Sequence, residues 1–227
     1  MTSGSIILKQ VELGPMMNFI YLIGCSATGE AAVIDPAWDV PAILKAAQNA
    51  NLTIKQILVT HAHPDHINAL EPLLRETNAQ IFIHSTELDY LRAIARGFGM
   101  SIDFLKEYPN NIRSVSDGEI FQLGNISIQC LHTPGHTPGS ICFLTEGCLF
   151  SGDTLFVDAC GRVDIPGGDA RQMWKSLNQT LRALPDSTIL YPGHDYGGSP
   201  KATLGEQKQN NPYMNYLSVE DFLRDMS

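Results

Sequence analysis

The stretch "THAHPDHINAL", Thr60 to Leu70, places three histidines and an aspartate within six consecutive positions. It follows "IKQILV", a run of strand length that predicts a buried strand. The chain of 227 residues has only seven histidines, so this crowding at the end of one strand calls for a chemical explanation. Neutral imidazoles and a carboxylate are ligands that zinc and similar divalent metals accept.

The motif offers its ligands in two directions. His61 and His63 point the same way, because side chains along a strand repeat every two residues. The following turn brings Asp65 and His66 in from another side, so the two pairs can serve two adjacent metals. The alternative is a polar loop with hydrogen-bonded histidines. Four ligand-type residues in six positions disfavour it, because crowding imidazoles gives no packing benefit and their burial costs free energy.

Further ligand-type residues follow other predicted strands. "LHTPGHTPGS" carries His136, "LFSGDTLF" carries Asp153 and "LYPGHDYGG" carries His194. Taken singly, a histidine or aspartate at a strand end is usually a cap or turn residue. Together they place ligand-type residues at four strand ends, where loop-borne sites collect. We interpret the remaining histidines, His84 and His132, as structural or as hydrogen-bond partners of ligands.

Composition limits the class of protein. With 44% hydrophobic and 17% charged residues the chain can bury a large core, and no linker divides it, so residues 1–227 are expected to form a single domain. The net charge of −9 argues against nucleic acid and anionic membranes as partners. Five cysteines without a C-x-x-C pair, no signal-peptide pattern and no long apolar run predict a cytoplasmic protein without disulfides.

The hydrophobic pattern predicts an α/β or α+β protein with two packed sheets and helices outside. Short β-rich runs fill both halves, and "DVPAILKAAQNANL", with Asp39 as its N-cap, and "DARQMWKSLNQTLRAL" read as helices. Residues 67–78 are expected to form another helix. Residues 97–116 show no clean period, and we interpret them as a mobile or substrate-facing insertion. Its aromatic residues could equally belong to the core or to a homodimer contact.

The motifs resemble those of the metallo-β-lactamase superfamily. "THAHPDH", "PGHTPGS", "GDTLF" and "PGHDYG" occur in that family's order and approximate spacing, from about Asn18 to Asn211. The resemblance implies a four-layer αββα sandwich with a metal site at one edge of the sheets. "GDTLFVDACGRVD" and "TLGEQKQNNPY" are most similar to the glyoxalase II (hydroxyacylglutathione hydrolase) and persulfide dioxygenase branches.

The resemblance also implies roles for single residues. One metal is expected on His61, His63 and His136 and the second on Asp65, His66 and His194, with Asp153 bridging the two. Asp65 would also act in catalysis by orienting the bridging hydroxide, and Asp35 would support the metal loop without binding metal. Arg162 matches a basic residue near the thiol substrate in both branches, and Tyr196 resembles the dioxygenase branch, so both are expected to bind substrate. The alternative for Arg162 is a salt bridge with Asp164 or Asp158.

Three functions follow as hypotheses. The leading one is hydrolysis of a thioester or related acyl compound, such as a glutathione or other thiol derivative, by hydroxide bridged between two divalent metals. Zinc is the first choice, with iron or manganese as alternatives. Glyoxalase II binds glutathione with a long C-terminal helical region, and we expect no counterpart of it after His194. This expectation disfavours lactoylglutathione as the substrate. The runner-up is a mononuclear iron persulfide dioxygenase acting on glutathione persulfide, with iron on His61, His136 and Asp153. The third is a non-catalytic metal-binding module.

Overall fold

The computed structural model describes residues 5–216 and 218–226. The strands are β1 (Ile6–Leu13), β2 (Asn18–Cys25), β3 (Glu30–Ile34), β4 (Thr53–Leu58), β5 (Gln80–His84), β6 (Ile112–Val115), β7 (Ile120–Leu123), β8 (Ile126–His132), β9 (Ile141–Thr145), β10 (Cys148–Gly152), β11 (Leu155–Phe156), β12 (Ala159–Cys160), β13 (Ile189–Pro192) and β14 (Ala202–Thr203). The α-helices are α1 (Val40–Asn49), α2 (Pro64–Ile67), α3 (Leu70–Thr77), α4 (Ser85–Ile94), α5 (Phe104–Glu107), α6 (Ala170–Lys175), α7 (Leu204–Asn210) and α8 (Val219–Asp225). Helix α6 continues as a π-helical turn (Ser176–Thr180) and a 3-10 turn (Leu181–Ala183).

Two six-stranded sheets form the centre of the molecule. The first has the order β1-β2-β3-β4-β5-β6 and the second β14-β13-β10-β9-β8-β7, with β11 and β12 as a separate hairpin. Strand β2 is buried along its whole length, which requires cover on both faces. Phe19 and Tyr21 enter the apolar layer between the two sheets, while Ile20 and Leu22 point to the other face. This alternation is the two-residue period of a strand.

Helices cover both outer faces. Leu73 of α3 and Leu91 of α4 belong to the cluster on the first sheet, together with residues of α1. Met173 of α6 and Phe222 of α8 belong to the cluster on the second sheet, together with Leu204 of α7. The predicted αββα sandwich is therefore confirmed. In the part of the chain that the structure describes, none of the helices could cross a membrane.

Local predictions were right in part. Asp39 caps α1 as predicted, since its Oδ1 accepts from the Ala42 N–H at 2.9 Å. The single helix predicted over 67–78 is wrong at its start. Ile67 is the last residue of α2, and α3 begins only at Leu70. The interpretation of 97–116 as a mobile or substrate-facing insertion is wrong for β6, which pairs in parallel with β5 and extends the first sheet.

The sheets bring the predicted motifs to one edge. Strands β3 and β4 are parallel, as are β10 and β13, so within each pair the carboxyl ends lie side by side. The two edges are joined across the sandwich by hydrogen bonds of 2.9 Å from Ile141 N to the Thr60 carbonyl and 2.8 Å from Phe19 N to the Gly193 carbonyl. The loops after these strands therefore share one corner of the molecule.

Candidate metal centre

Three histidines form the first candidate ligand set. His61, His63 and His136 each offer a ring nitrogen, and these nitrogens lie within 4.8 Å of one another. His63 Nδ1 is 2.9 Å from His136 Nε2. His61 and His63 flank Ala62 in the loop after β4, and His136 comes from the loop between β8 and β9. Nitrogens this close to each other need a shared proton or a shared cation.

The second candidate set combines a carboxylate and two histidines. Asp65, His66 and His194 present ligand atoms within 4.8 Å of one another. His66 Nε2 lies 3.0 Å from His194 Nε2, and Asp65 Oδ2 lies 3.3 Å from the same His194 atom. Asp65 and His66 belong to α2, whereas His194 follows β13.

Asp153 faces both sets. Its Oδ1 lies 3.2 Å from His66 Nε2, and its Oδ2 lies 3.5 Å from His194 Nε2 and 3.6 Å from His136 Nε2. Gly152, which precedes Asp153, has a φ of +49° and therefore lies in the left-handed region. A Cβ at Gly152 would lie 2.3 Å from Thr60 Oγ1, so the close approach of β10 to the histidine loop requires glycine.

Asp35 orients His66 of the second set, and both of its carboxylate oxygens are already engaged in hydrogen bonds. Its Oδ1 accepts from the Thr60 N–H at 2.7 Å, and its Oδ2 accepts from Thr60 Oγ1 at 2.5 Å. Oδ2 also lies 3.0 Å from His66 Nδ1, so that nitrogen carries the proton and Nε2 is left for metal. Asp35 has a φ of +50°, a strained conformation of the kind that collects at functional sites.

The other histidines are oriented in the same way. His136 Nδ1 lies 2.8 Å from the Arg162 carbonyl, and His194 Nδ1 lies 2.8 Å from the Met16 carbonyl. Each donates there and leaves Nε2 free. His61 Nδ1 is 3.1 Å from the Thr60 hydroxyl, which again leaves Nε2.

His63 alone among the five presents Nδ1 to the cluster. Its Nε2 lies 3.2 Å from the Tyr90 hydroxyl, which in turn donates to the Pro166 carbonyl at 2.7 Å. The tyrosine oxygen is therefore an acceptor for the His63 Nε2–H. Tyr90, from the middle of α4, thus connects the candidate ligand His63 to the loop after β12.

Two buried atoms of the cluster lack a hydrogen-bond partner. They are His61 Nε2 and Asp153 Oδ1, which face the interior of the cluster. Buried polar atoms are almost always paired, and an unpaired one costs about 1–3 kcal/mol. A divalent cation would satisfy both atoms and would also separate the close nitrogen pairs. The donor set of imidazoles and carboxylates therefore fits a two-metal centre of the zinc type.

The protonation of the cluster follows from burial and charge. Burial lowers the pKa of His63 to about 4 and holds that of His61 well below its usual value, so both rings are neutral, as metal ligands must be. Burial also opposes a charge on His194, but hydrogen bonds to Asp153 and Asp65 outweigh it and raise its pKa to about 9. Burial likewise opposes a charge on His66, but its contacts with Asp153 and Asp35 outweigh it and raise its pKa, so without metal protons on His194 and His66 balance the two carboxylates Asp65 and Asp153.

Zinc uptake is expected to release protons. At pH 7.5 His194 is protonated in the metal-free protein and must lose its proton to coordinate, so about one to two protons per chain should appear in a weakly buffered zinc titration. The release should fall as the pH rises through about 9, and zinc affinity should rise with pH up to that value. His194→Gln should reduce the release and the control His132→Gln should not. Uptake of zinc at pH 7.5 without proton release would contradict this protonation state.

Glu87 is a site-supporting residue that the sequence analysis missed. Its side chain is fully buried, and its carboxylate accepts from the N–H groups of Ala62 at 2.7 Å and Gly139 at 2.9 Å and from the Thr137 hydroxyl at 2.8 Å. It thus joins the loop of His61 and His63 to the loop of His136. Burial raises the pKa of Glu87 to about 7 although these donors favour the ionised form.

Asn18 supports the other side of the cluster and was likewise missed as a site residue. Its Nδ2 donates to Asp65 Oδ2 at 3.0 Å and to the Asp65 carbonyl at 3.1 Å. Its Oδ1 accepts from Trp38 Nε1 at 2.8 Å, which fixes the orientation of the amide. The only sequence signal was a polar residue at the start of a fully apolar strand.

A pocket of about 580 Å³ opens onto the cluster and contains both predicted substrate residues. Tyr196 stacks on the ring of His194 with centroids 4.4 Å apart and planes at 7°. Arg162 forms the salt bridge of the alternative interpretation, with Nε and Nη2 each 2.9 Å from the carboxylate of Asp164. Cys160 also lines the pocket, and burial raises the pKa of its thiol to about 12, so it is not a nucleophile at neutral pH.

The two remaining histidines lie outside the cluster. His84 and His132 stack on each other with ring centroids 4.2 Å apart and planes at 10°. His132 Nε2 lies 3.0 Å from the Pro138 carbonyl. This packing agrees with their interpretation as structural residues.

Comparisons with known proteins agree with this geometry. The sequence model of the metallo-beta-lactamase superfamily matches residues 13–194. The probable polyketide biosynthesis zinc-dependent hydrolase PksB of Bacillus subtilis strain 168 is 31% identical over 207 residues, which cover 91% of this chain and 86% of that protein. The hydroxyacylglutathione hydrolase of Rhodospirillum rubrum is 39% identical over 181 residues, covering 79% of this chain and 62% of that protein. The crystal structure of ETHE1 from Myxococcus xanthus aligns with a TM-score of 0.82 and 33% identity, over 97% of this chain and 89% of that chain.

Proposed function

Since the chain belongs to the metallo-beta-lactamase superfamily, we propose that it is a hydrolase that uses two divalent metal ions, zinc first, to cleave a small thioester or related acyl compound. Its relatives include proteins named as a zinc-dependent hydrolase and as hydroxyacylglutathione hydrolases, and these names support hydrolysis. The leaving group of such a substrate is a thiol, either glutathione or another small thiol.

One observation carries the proposal: both ligand sets are complete and Asp153 faces each of them. A single metal would need only one set. When bound, two zinc ions would lower the pKa of a bound water to near 7 and polarise the substrate carbonyl, so that hydroxide is available at neutral pH. No protein nucleophile is required.

The residues of the chain have distinct roles in this proposal. Asp65 lines the pocket, and Asn18 holds its carboxylate in place, so that it can accept a hydrogen bond from the attacking water and orient it. Tyr196 covers the ring of His194 and forms part of the pocket wall. The apolar pocket wall limits the access of bulk water to the reacting carbonyl.

Metal analysis is the direct test. Protein purified without added metal is expected to hold about two zinc ions per chain, and removal by a chelator should abolish thioester hydrolysis, which zinc should restore. The thermal midpoint should fall on chelation, because metal binding stabilises the folded state. Hydrolysis that survives complete removal of metal would contradict the proposal, and the untreated protein carried through the same buffer exchange is the control.

A persulfide dioxygenase is the second candidate, which the likeness to the ETHE1 structure favours. Such an enzyme would hold one iron on His61, His136 and Asp153 and leave the set of Asp65, His66 and His194 without a metal. Oxygen uptake by the iron-loaded protein with glutathione persulfide would support this candidate. About one iron per chain, instead of two zincs, would point the same way.

A further inference from the structure

The pocket over the candidate metal centre has an apolar wall. Its volume of about 580 Å³ is that of a site for a small molecule. Apart from the candidate ligands, the wall consists mainly of apolar and aromatic side chains, among them Met16, Phe98, Phe156, Ile165, Pro166 and Tyr196. Burial of an apolar ligand against such a wall is favourable, whereas a charged ligand would lose its hydration there.

Exposed apolar side chains concentrate at the mouth of this pocket. Among the described residues six large hydrophobic side chains are exposed, and three of them line it: Met16 at 43%, Phe98 at 52% and Tyr196 at 47%. Single exposed apolar residues are ordinary, but a cluster around a concave site marks a surface that binds an apolar group. The mouth is therefore suited to an apolar part of the substrate.

The charges of the pocket point to the same conclusion. In the described part of the chain, one cationic side chain lines it, and that side chain is Arg162. Both Nε and Nη2 of Arg162 are bound to the Asp164 carboxylate, so the pair adds no net charge. Glutathione carries carboxylates at both ends at neutral pH. These carboxylates would meet no unpaired cationic side chain on the described part of the wall.

We propose that the pocket selects its substrate by the acyl arm, which is an uncharged and mainly apolar chain, and holds the thiol arm only loosely. This inference rests on the proposed thioester hydrolysis. In that reaction the oxygen of water bonds to the acyl carbon and the carbon–sulfur bond breaks, with its electron pair going to sulfur. One water proton ends on the thiol and the other is released from the carboxylic acid.

Two matched substrate series test the proposal with the zinc-loaded protein. On one thiol, N-acetylcysteamine, kcat/KM should rise about threefold for each methylene from acetyl through butyryl to hexanoyl, near the gain for burying a methylene group. With one acyl group, hexanoyl, N-acetylcysteamine and glutathione thioesters should agree within about threefold. A preference for acetyl or lactoyl over hexanoyl would overturn the proposal. So would a glutathione thioester more than about tenfold better than its N-acetylcysteamine counterpart.

Two variants test the contributions of the apolar wall and of the Arg162–Asp164 ion pair one at a time. Phe98→Ala should flatten the dependence on chain length, and its exposure makes loss of folding no concern. Ile120→Ala, similarly exposed at 58% but on β7, is the matched control and should leave that dependence unchanged.

Asp164→Asn frees Arg162 and should favour the glutathione thioester by about threefold at low salt, an effect that high salt removes. An unchanged chain-length dependence in Phe98→Ala would overturn the assignment of the wall.

Binding to the metal-free protein gives a readout without turnover. Ketone analogues, in which a methylene group replaces the thioester sulfur, should bind more tightly as the acyl chain lengthens, with an increasingly negative heat-capacity change in calorimetry. Affinity independent of chain length would overturn the inference about the acyl arm. Affinity that rises with chain length, together with no hydrolysis of any thioester by the zinc-loaded protein, would uphold the inference and overturn the proposed reaction.

Discussion

Replacing Asp65 by asparagine is expected to lower kcat/KM for thioester hydrolysis by about 10³-fold. Asp65 Oδ2 lies 3.3 Å from His194 Nε2 and 3.4 Å from His66 Nε2, so it belongs to the second ligand set. Asparagine has nearly the same shape, and its oxygen can still accept from Asn18, so the fold should be kept. The lost charge removes a metal ligand and the group that orients the water. A metal contributes several kcal/mol to the transition state, which corresponds to this loss in rate.

Metal content makes the Asp65→Asn result specific. The first set of His61, His63 and His136 is untouched, so the variant should retain about one metal per chain and lose the second. The matched control is Asp89→Asn on α4, because Asp89 is 79% exposed and pairs with Arg92 at the surface. A variant that kept two metals and normal hydrolysis would contradict the role of Asp65. Loss of hydrolysis with persulfide oxidation retained would instead support the mononuclear candidate.

Sequence reasoning works best where chemistry is local. His61, His63, Asp65 and His66 lie within six positions, and a strand end followed by a turn is enough to predict that they diverge into two groups. Their convergence with His194 is not a local property. It depends on the parallel pairing of β10 with β13 and on contacts between sheets, which no periodicity encodes. Here the family resemblance, not the pattern, supplied the pairing of ligands, and the structure brings those residues together.

The missed features have identifiable physical causes. β6 is only four residues long and lies at a sheet edge, where Arg113 packs over the ring of Phe82 at 5.0 Å instead of showing an apolar run. α7 buries little apolar surface, although Thr203 and Glu206 form a capping box that the sequence displayed. Glu87 gave the clearest signal, because it lies on the buried face of α4. A charged residue on such a face needs a partner, and here its partners are the ligand loops.

Replacing Glu87 by alanine is expected to lower the free energy of unfolding by about 3 kcal/mol, because three buried donors lose their acceptor at about 1–3 kcal/mol each before relaxation. For a chain of 227 residues this corresponds to a fall in the thermal midpoint of roughly 6–12 °C. Glu87→Gln keeps one acceptor oxygen and should lose about half as much. Glu107→Ala is the control, since Glu107 is 49% exposed and pairs with Arg75 on the surface. It should change the free energy of unfolding by less than about 0.5 kcal/mol.

Zinc affinity distinguishes a support for the ligands from a purely structural residue. Glu87 holds Ala62, which lies between His61 and His63, and Thr137, which follows His136, so its loss should displace the first set from both sides. Supports of this kind typically change metal affinity by about 10- to 100-fold. The first zinc should therefore bind that much more weakly to Glu87→Ala, measured by competition with a chelating dye below the melting temperature. Glu87→Gln should fall between that variant and the native chain. Reduced stability with unchanged affinity for the first zinc would mean that Glu87 holds the sandwich together without setting the ligand geometry.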